Sequence, residues 1–195
     1  MQTTFTKTIV TECNRLVIQY DQCPDSPREY DDVTKLSIRK HRHYDFPNEQ
    51  ALSFDSEFGE LEEELANLEP THYIFHIDCY EHSGISFSLS GKGMQCKFDT
   101  ARGVWIITVP KSYTYDYSKT EKRTIEYTEQ QANEMAQSTL DEYNAYINGE
   151  VYEYNLYDEE GNHVDSWSWF YSLESIKDNL PTEWKDEDIN KYFIN

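Results

Sequence analysis

Residues 140–171 read LDEYNAYINGEVYEYNLYDEEGNHVDSWSWFY. The start of this stretch continues an apolar stripe of Ala132, Met135, Ala136, Tyr143 and Ile147, which predicts a helix over 126–147. Asn148-Gly149 suits its C-terminal cap, because these residues tolerate φ above zero. Beyond the cap, EVYEYNLY and HVDSWSWFY flank the turn DEEGN. The pairs Val151/Glu153, Tyr152/Tyr154 and Trp167/Trp169 fit strands with one buried face. Gly161 supplies the left-handed turn position. A helix running into a hairpin predicts an α+β protein.

Working back along the chain, 126–147 follows a stretch of hairpins. HYIFHIDCY (72–80) predicts a strand and GISFSLS (84–90) its partner, with His82-Ser83-Gly84 as the turn. Gly91 and Gly93 mark another turn, after which MQCKF and GVWIITVP continue the sheet. Trp105, Ile107 and Val109 lie on one face and Val104, Ile106 and Thr108 on the other, so both faces are mostly apolar. That is the pattern of a central strand. SEFGELEEELANLE (56–69) predicts a second amphipathic helix, with Phe58, Leu61, Leu65 and Leu68 as its stripe. Ser56 caps its first turn and Pro70 ends it.

Toward the N-terminus, FTKTIVTECNRLVIQY (5–20) reads as two short strands turning near Cys13–Asn14. CPDSPREYDD is a loop, because Pro24 and Pro27 fix φ and lack a donor. KLSIRKHRHY holds a strand with Leu36 and Ile38 on one face. At the other end, a capped turn over Ser172–Leu180 leads to an aromatic close at Trp184, Tyr192 and Phe193. The expected fold is α+β, a mostly antiparallel sheet of hairpins with two main amphipathic helices and a short helical C-terminus. One domain over 1–195 accounts for the length, and a subdivision near 111–125 is compatible with it.

Composition narrows function. There are 37 acidic and 17 basic residues, for a net charge of −20. Such a charge disfavours direct binding to nucleic acid or to an anionic membrane. Hydrophobic residues make up only 37%, but aromatics make up 15%, which argues for an ordered chain. The N-terminus lacks the apolar run of a signal peptide, and no segment approaches 18 consecutive apolar residues. The four cysteines have no CxxC spacing, so free thiols in a reducing cytosol are expected.

The charge is also segregated. No Lys or Arg occurs from Tyr44 to Gly91 or from Thr124 to Ile176. Solvation or salt adaptation explains acidity in general. A segregated carboxylate array also fits a surface that imitates DNA, which carries about one charge per 1.7 Å of helix axis. The candidate partner-binding residues are Asp55, Glu57, Glu60, Glu63 and Glu64 in the first stretch, and Glu153, Asp158, Glu159, Glu160 and Asp165 in the second.

No spacing here builds a reaction centre. His72, His76, Cys79 and His82 fall on a strand, where His72 and His76 stand about 13 Å apart. Zinc ligands sit about 2 Å from the ion, so these two cannot share one. Asp158-Glu159-Glu160-Gly161-Asn162 lacks the ligand positions of a calcium loop and reads as a turn. A reactive thiolate needs an electropositive setting, which Cys79 lacks. SGKG (90–93) lacks phosphate-loop spacing. The expectation is a protein that is not an enzyme, with no cofactor and no metal. The stripe Trp167, Trp169, Phe170 and Tyr171 reads as core more readily than as a base-stacking surface.

Three blocks carry a resemblance: HIDCYEHSGISFSL with CKFDTARGVWIITVPK, the helix–NGEVY–hairpin block, and CPDSPREYDD. With CPDSPREYDD first in the chain, they resemble a family of small acidic proteins of phages, plasmids and integrative elements, over roughly two-thirds of the chain. This chain departs from the family's usual pattern at Ser166–Tyr171 and at Thr100–Arg102. The family is similar in setting and acidity to anti-restriction and anti-CRISPR proteins. The resemblance implies an anti-defence inhibitor whose acidic, DNA-mimicking surface blocks a host nuclease or CRISPR effector with a basic nucleic-acid channel. The alternative is a non-enzymatic phage or host interaction module that uses an aromatic surface.

Overall fold

The computed structural model describes residues 5–8, 15–27, 33–37, 63, 65–180 and 185. The chain divides into two compact units, Met1–Ser26 with Ala145–Asn195, and Pro27–Asn144. Among the described residues antiparallel β-sheet dominates, with three helical segments. The architecture is α+β.

In the first unit, β1 (Phe5–Thr8), β2 (Arg15–Tyr20), β9 (Tyr152–Tyr157) and β10 (His163–Phe170) form one sheet in the order β1-β2-β9-β10. The two strands expected in 5–20 pair with each other, Phe5 opposite Ile18. Helix α2 (Leu173–Asn179) covers part of one face. Ser172 caps it, its Oγ accepting from the Ser175 N–H at 3.1 Å. Leu16, Ile18, Tyr154, Leu156, Phe170, Ile176 and Leu180 make a continuous core, and the Tyr154 and Phe170 rings stack at 5.8 Å.

In the second unit, β3 (Lys35–Ser37), β4 (His72–Glu81), β5 (Ile85–Leu89) and β6 (Thr100–Pro110) take the order β3-β6-β4-β5. The sequence expectation for GVWIITVP holds: β6 is central, and Trp105, Ile106, Ile107, Thr108 and Val109 are all buried. Phe87 meets Trp105 edge-on at 4.8 Å. From β6 the chain runs through Lys111 into a ribbon, β7 (Ser112–Ser118) paired with β8 (Glu121–Glu126). Almost every ribbon side chain is exposed, and the Arg123 guanidinium lies 3.2 Å from the Tyr117 ring centre.

Helix α1 spans Glu129–Ile147, so it starts three residues later than the apolar stripe suggested. A capping box sets that start. The Thr128 Oγ1 accepts from the Gln131 N–H at 3.3 Å, and the Gln131 Oε1 accepts from the Thr128 N–H at 2.9 Å. Ala132, Ala136, Leu140 and Tyr143 are buried, and Leu140 is the stripe residue that the sequence reading missed. Near its end, Asn144 bonds both the N–H and the C=O of Phe87 at 2.8 Å, satisfying part of the outer edge of β5.

Two expectations fail. MQCKF is not a strand: residues 94–99 form an irregular turn before β6 begins at Thr100. The Thr100 Oγ1 closes that turn, donating to the Met94 C=O and accepting from the Cys96 N–H, both at 2.9 Å. Trp167 and Trp169 are not core, being 57% and 45% exposed. Of the acidic helix expected at 56–69, Glu63 and residues 65–68 are helical, Glu69 lies in the turn that follows, and the rest lies outside the described residues. Ile38 and the aromatic close at Trp184, Tyr192 and Phe193 also lie outside them.

Candidate functional site

The β9–β10 hairpin gathers most of the describable candidates. Its turn is built by Asp158. That carboxylate accepts from the Asn162 N–H at 2.8 Å and from the Asn162 side-chain amide at 3.0 Å. These donors hold the Asp158 carboxyl below its ordinary range. Gly161, at φ 83, lets the chain reverse. Asp158 is therefore a turn builder, while Glu159 and Glu160 are exposed beside it.

Along the strands, Glu153 is half-buried and accepts from the Gln19 side-chain amide. Asp165 is exposed, and its Oδ1 accepts from the Ser166 N–H at 2.9 Å. Glu63 is exposed but belongs to the other unit. Asp55, Glu57, Glu60 and Glu64 lie outside the described residues.

The register of β10 places its two exposed tryptophans differently. Asp165 stands opposite Leu156 and Trp167 opposite Tyr154, with no shift between them. Opposed residues share a face, so Asp165 and Trp167 lie on the side that carries the core. Burial raises the Tyr154 hydroxyl pKa, and the Asp165 charge adds to it, as that placement requires. Tyr154 is 1% exposed and Trp167 is 57% exposed. The apolar layer thus continues past its cover to the open margin of β10.

Beyond Trp167 the register shifts, and Phe170 pairs with Tyr152. One extra residue is accommodated there, with Trp169 at φ 67. This bulge returns Phe170 to the core and turns Trp169 outward. A second irregularity lies between His163 and Asp165, and the intervening Val164 is 60% exposed.

The residues that could suggest catalysis are placed differently. Cys79 is buried, and burial together with the Glu81 charge pushes its thiol up to about 12. That is the reverse of a nucleophile's setting. His72 bonds the Thr71 Oγ1 at 2.8 Å, His76 is exposed on β4, and His82 pairs with Asp99 at 3.3 Å. No metal-competent group of His, Cys, Asp or Glu occurs among the described residues.

Asp78, which the sequence reading passed over, is 1% exposed in the middle of β4. One oxygen accepts from the Ser90 Oγ and the Gly103 N–H, both at 2.9 Å. The other accepts from the Gly91 N–H at 2.9 Å and the Gln95 amide at 3.0 Å. Burial alone would raise this carboxyl, but the four donors outweigh it and hold the group below its ordinary 3.8. Gly103 donates from a bulge at φ 60, a conformation that L side chains rarely adopt. With its lone pairs engaged, Asp78 serves as an anchor for the 90–103 connection rather than as a base. A single Asp inside an apolar strand, followed by Gly91 and Gly103, is the signal that could have found it.

No helix among the described residues is long and apolar enough to cross a membrane. Comparison with family models, with curated proteins and with solved structures gave no match.

Proposed function

We propose that this chain is a non-catalytic anti-defence inhibitor acting in the bacterial cytoplasm. It offers an acidic, DNA-like surface to the basic nucleic-acid channel of a host nuclease or CRISPR effector. The observation that carries this reading is the β9–β10 hairpin, where Glu159, Glu160 and Asp165 are exposed within a stretch free of Lys and Arg from Thr124 to Ile176. Carboxylates so placed attract Lys and Arg that otherwise hold phosphate. Attraction of this kind speeds encounter and weakens with salt, since the Debye length is about 8 Å at physiological ionic strength. The likeness to mobile-element proteins supports the same reading.

The test is inhibition of DNA cleavage by a panel of purified restriction and RNA-guided nucleases. At least one should be inhibited, and Glu159→Lys with Glu160→Lys should relieve that inhibition by tenfold or more, on the order of 1.4 kcal/mol. Undiminished inhibition by the reversed protein would remove the hairpin from the mimic. A second reading, an aromatic interaction surface, is favoured by the exposure of Trp167 and Trp169. It expects binding that survives high salt and is lost in Trp167→Ala.

A further inference from the structure

The hairpin carries an indole as well as carboxylates, and the two together specify a partner more narrowly than charge does. Elsewhere in this chain, several exposed and half-buried rings are matched with cations. The Arg15 guanidinium lies 4.6 Å from the Tyr157 ring centre, the Lys111 ammonium 5.5 Å from Tyr73, and Arg123 sits over Tyr117. Trp provides the strongest face for such contacts. Yet Trp167 is 57% exposed, and no cation, ring or hydrogen-bond partner among the described residues meets its indole.

Asp165 is two residues away on the same face, with no register shift between them, so their Cα atoms stand about 6.7 Å apart. A planar guanidinium stacked on the Trp167 ring lies within reach of that carboxylate. One Asp165 oxygen is bonded to the Ser166 N–H, and the other is available to accept. Tyr154 and Leu156 close the inner side of the spot, and the exposed Glu159 and Glu160 set the sign of the field around it. An ammonium satisfies the charge requirement but not the stacking one.

We infer that Trp167 and Asp165 form an arginine-reading spot on the open margin of β10, whose occupant is an arginine-bearing segment of the partner protein. This rests on the acidic-surface reading and adds a preference that charge alone does not confer. The two predict different behaviour: long-range attraction and any bidentate preference of the carboxylates survive loss of the indole, whereas the preference of an indole–carboxylate spot depends on Trp167.

The experiment uses the full chain and two fluorescent probes, an arginine nonapeptide and a lysine nonapeptide, with Kd read by anisotropy at low and high salt. Both should bind at low salt, the arginine peptide about fivefold more tightly, and the preference should persist as salt rises. Trp167→Ala should lower the ratio, weakening the arginine peptide more than the lysine peptide. Trp167→Phe, which retains a ring, should fall between. Glu159→Lys with Glu160→Lys should weaken both peptides and leave the ratio in place. Equal affinities in the parent, or a ratio untouched by Trp167→Ala, would overturn the arginine spot and leave the acidic surface standing. Failure of both peptides to bind would remove both. A concentration-dependent dimer that excludes the arginine peptide would assign the margin to a second copy of the chain.

Discussion

Each unit is built on a four-stranded antiparallel sheet, and each contains an aspartate opposite or beside a register irregularity. Asp78 in β4 and Asp165 in β10 have opposite fates. Asp78 is buried with donors on every side, so its charge holds a loop in place. Asp165 spends one contact on its own neighbour and otherwise faces water beside a bare indole. The same residue type is architecture where the backbone supplies N–H groups, and recognition surface where it does not. The units also differ in charge density: the first has 15 acidic and 5 basic residues, the second 22 and 12, so counter-charges are scarcer around the β9–β10 hairpin.

The comparison breaks most readily at Asp78. Asp78→Ala would leave the Gly91 and Gly103 N–H groups and the Gln95 amide without their acceptor. Loss of about 3–5 kcal/mol in urea unfolding is expected. A loss under about 1 kcal/mol would mean that water replaces the carboxylate and that the anchor is not needed. Next come two neighbours on one face. Tyr154→Ala should cost about 3–5 kcal/mol, whereas Trp167→Ala should change stability by less than about 0.5 kcal/mol. Equal costs would contradict the open margin.

Acid sharpens the contrast. The folded Asp78 carboxyl titrates below its ordinary 3.8, so between the two values the unfolded chain binds more protons. Its contribution is therefore complete above about pH 4 and disappears as pH falls through the folded value. Asp78→Asn should flatten the acid limb of the stability–pH curve, and an unchanged limb would show that Asp78 does not carry it. The smallest effect concerns thiols. In native protein at pH 8, Cys23 should be alkylated well before Cys79, because Cys23 is exposed and the Cys79 thiol is pushed up to about 12. Peptide mapping by mass spectrometry gives the order.

The strands were legible because their signals are local. Alternation and turn residues place β4, β5, β9 and β10 within a residue or two, and the two-faced apolar pattern of β6 marks it as central. Helix α1 was legible in its body but not in its start, which depends on the reciprocal bonds of Thr128 and Gln131. Two features were hidden. The Asp78 network joins residues 78, 90, 91, 95 and 103, and no periodicity connects such positions. The fate of Trp169 turned on one extra residue in β10, since a single-residue slip exchanges the faces of everything beyond it, whereas Trp167 keeps the core face and is exposed because the layer outruns its cover. The candidate carboxylates were legible as a composition, but composition does not separate the turn-building Asp158 from the outward Glu159 and Glu160.

The two irregularities of β10 leave only Asp165–Trp167 as an uninterrupted run. An aromatic edge strand is ordinarily a hazard, because its unpaired backbone can template the same strand of another molecule and seed fibrous aggregates. Three residues are too few to propagate such a zipper, and a charged residue occupies the first of them. The kinks on either side of Trp167 therefore also act as a quarantine, shortening the stretch of edge that a strand of another copy could pair with.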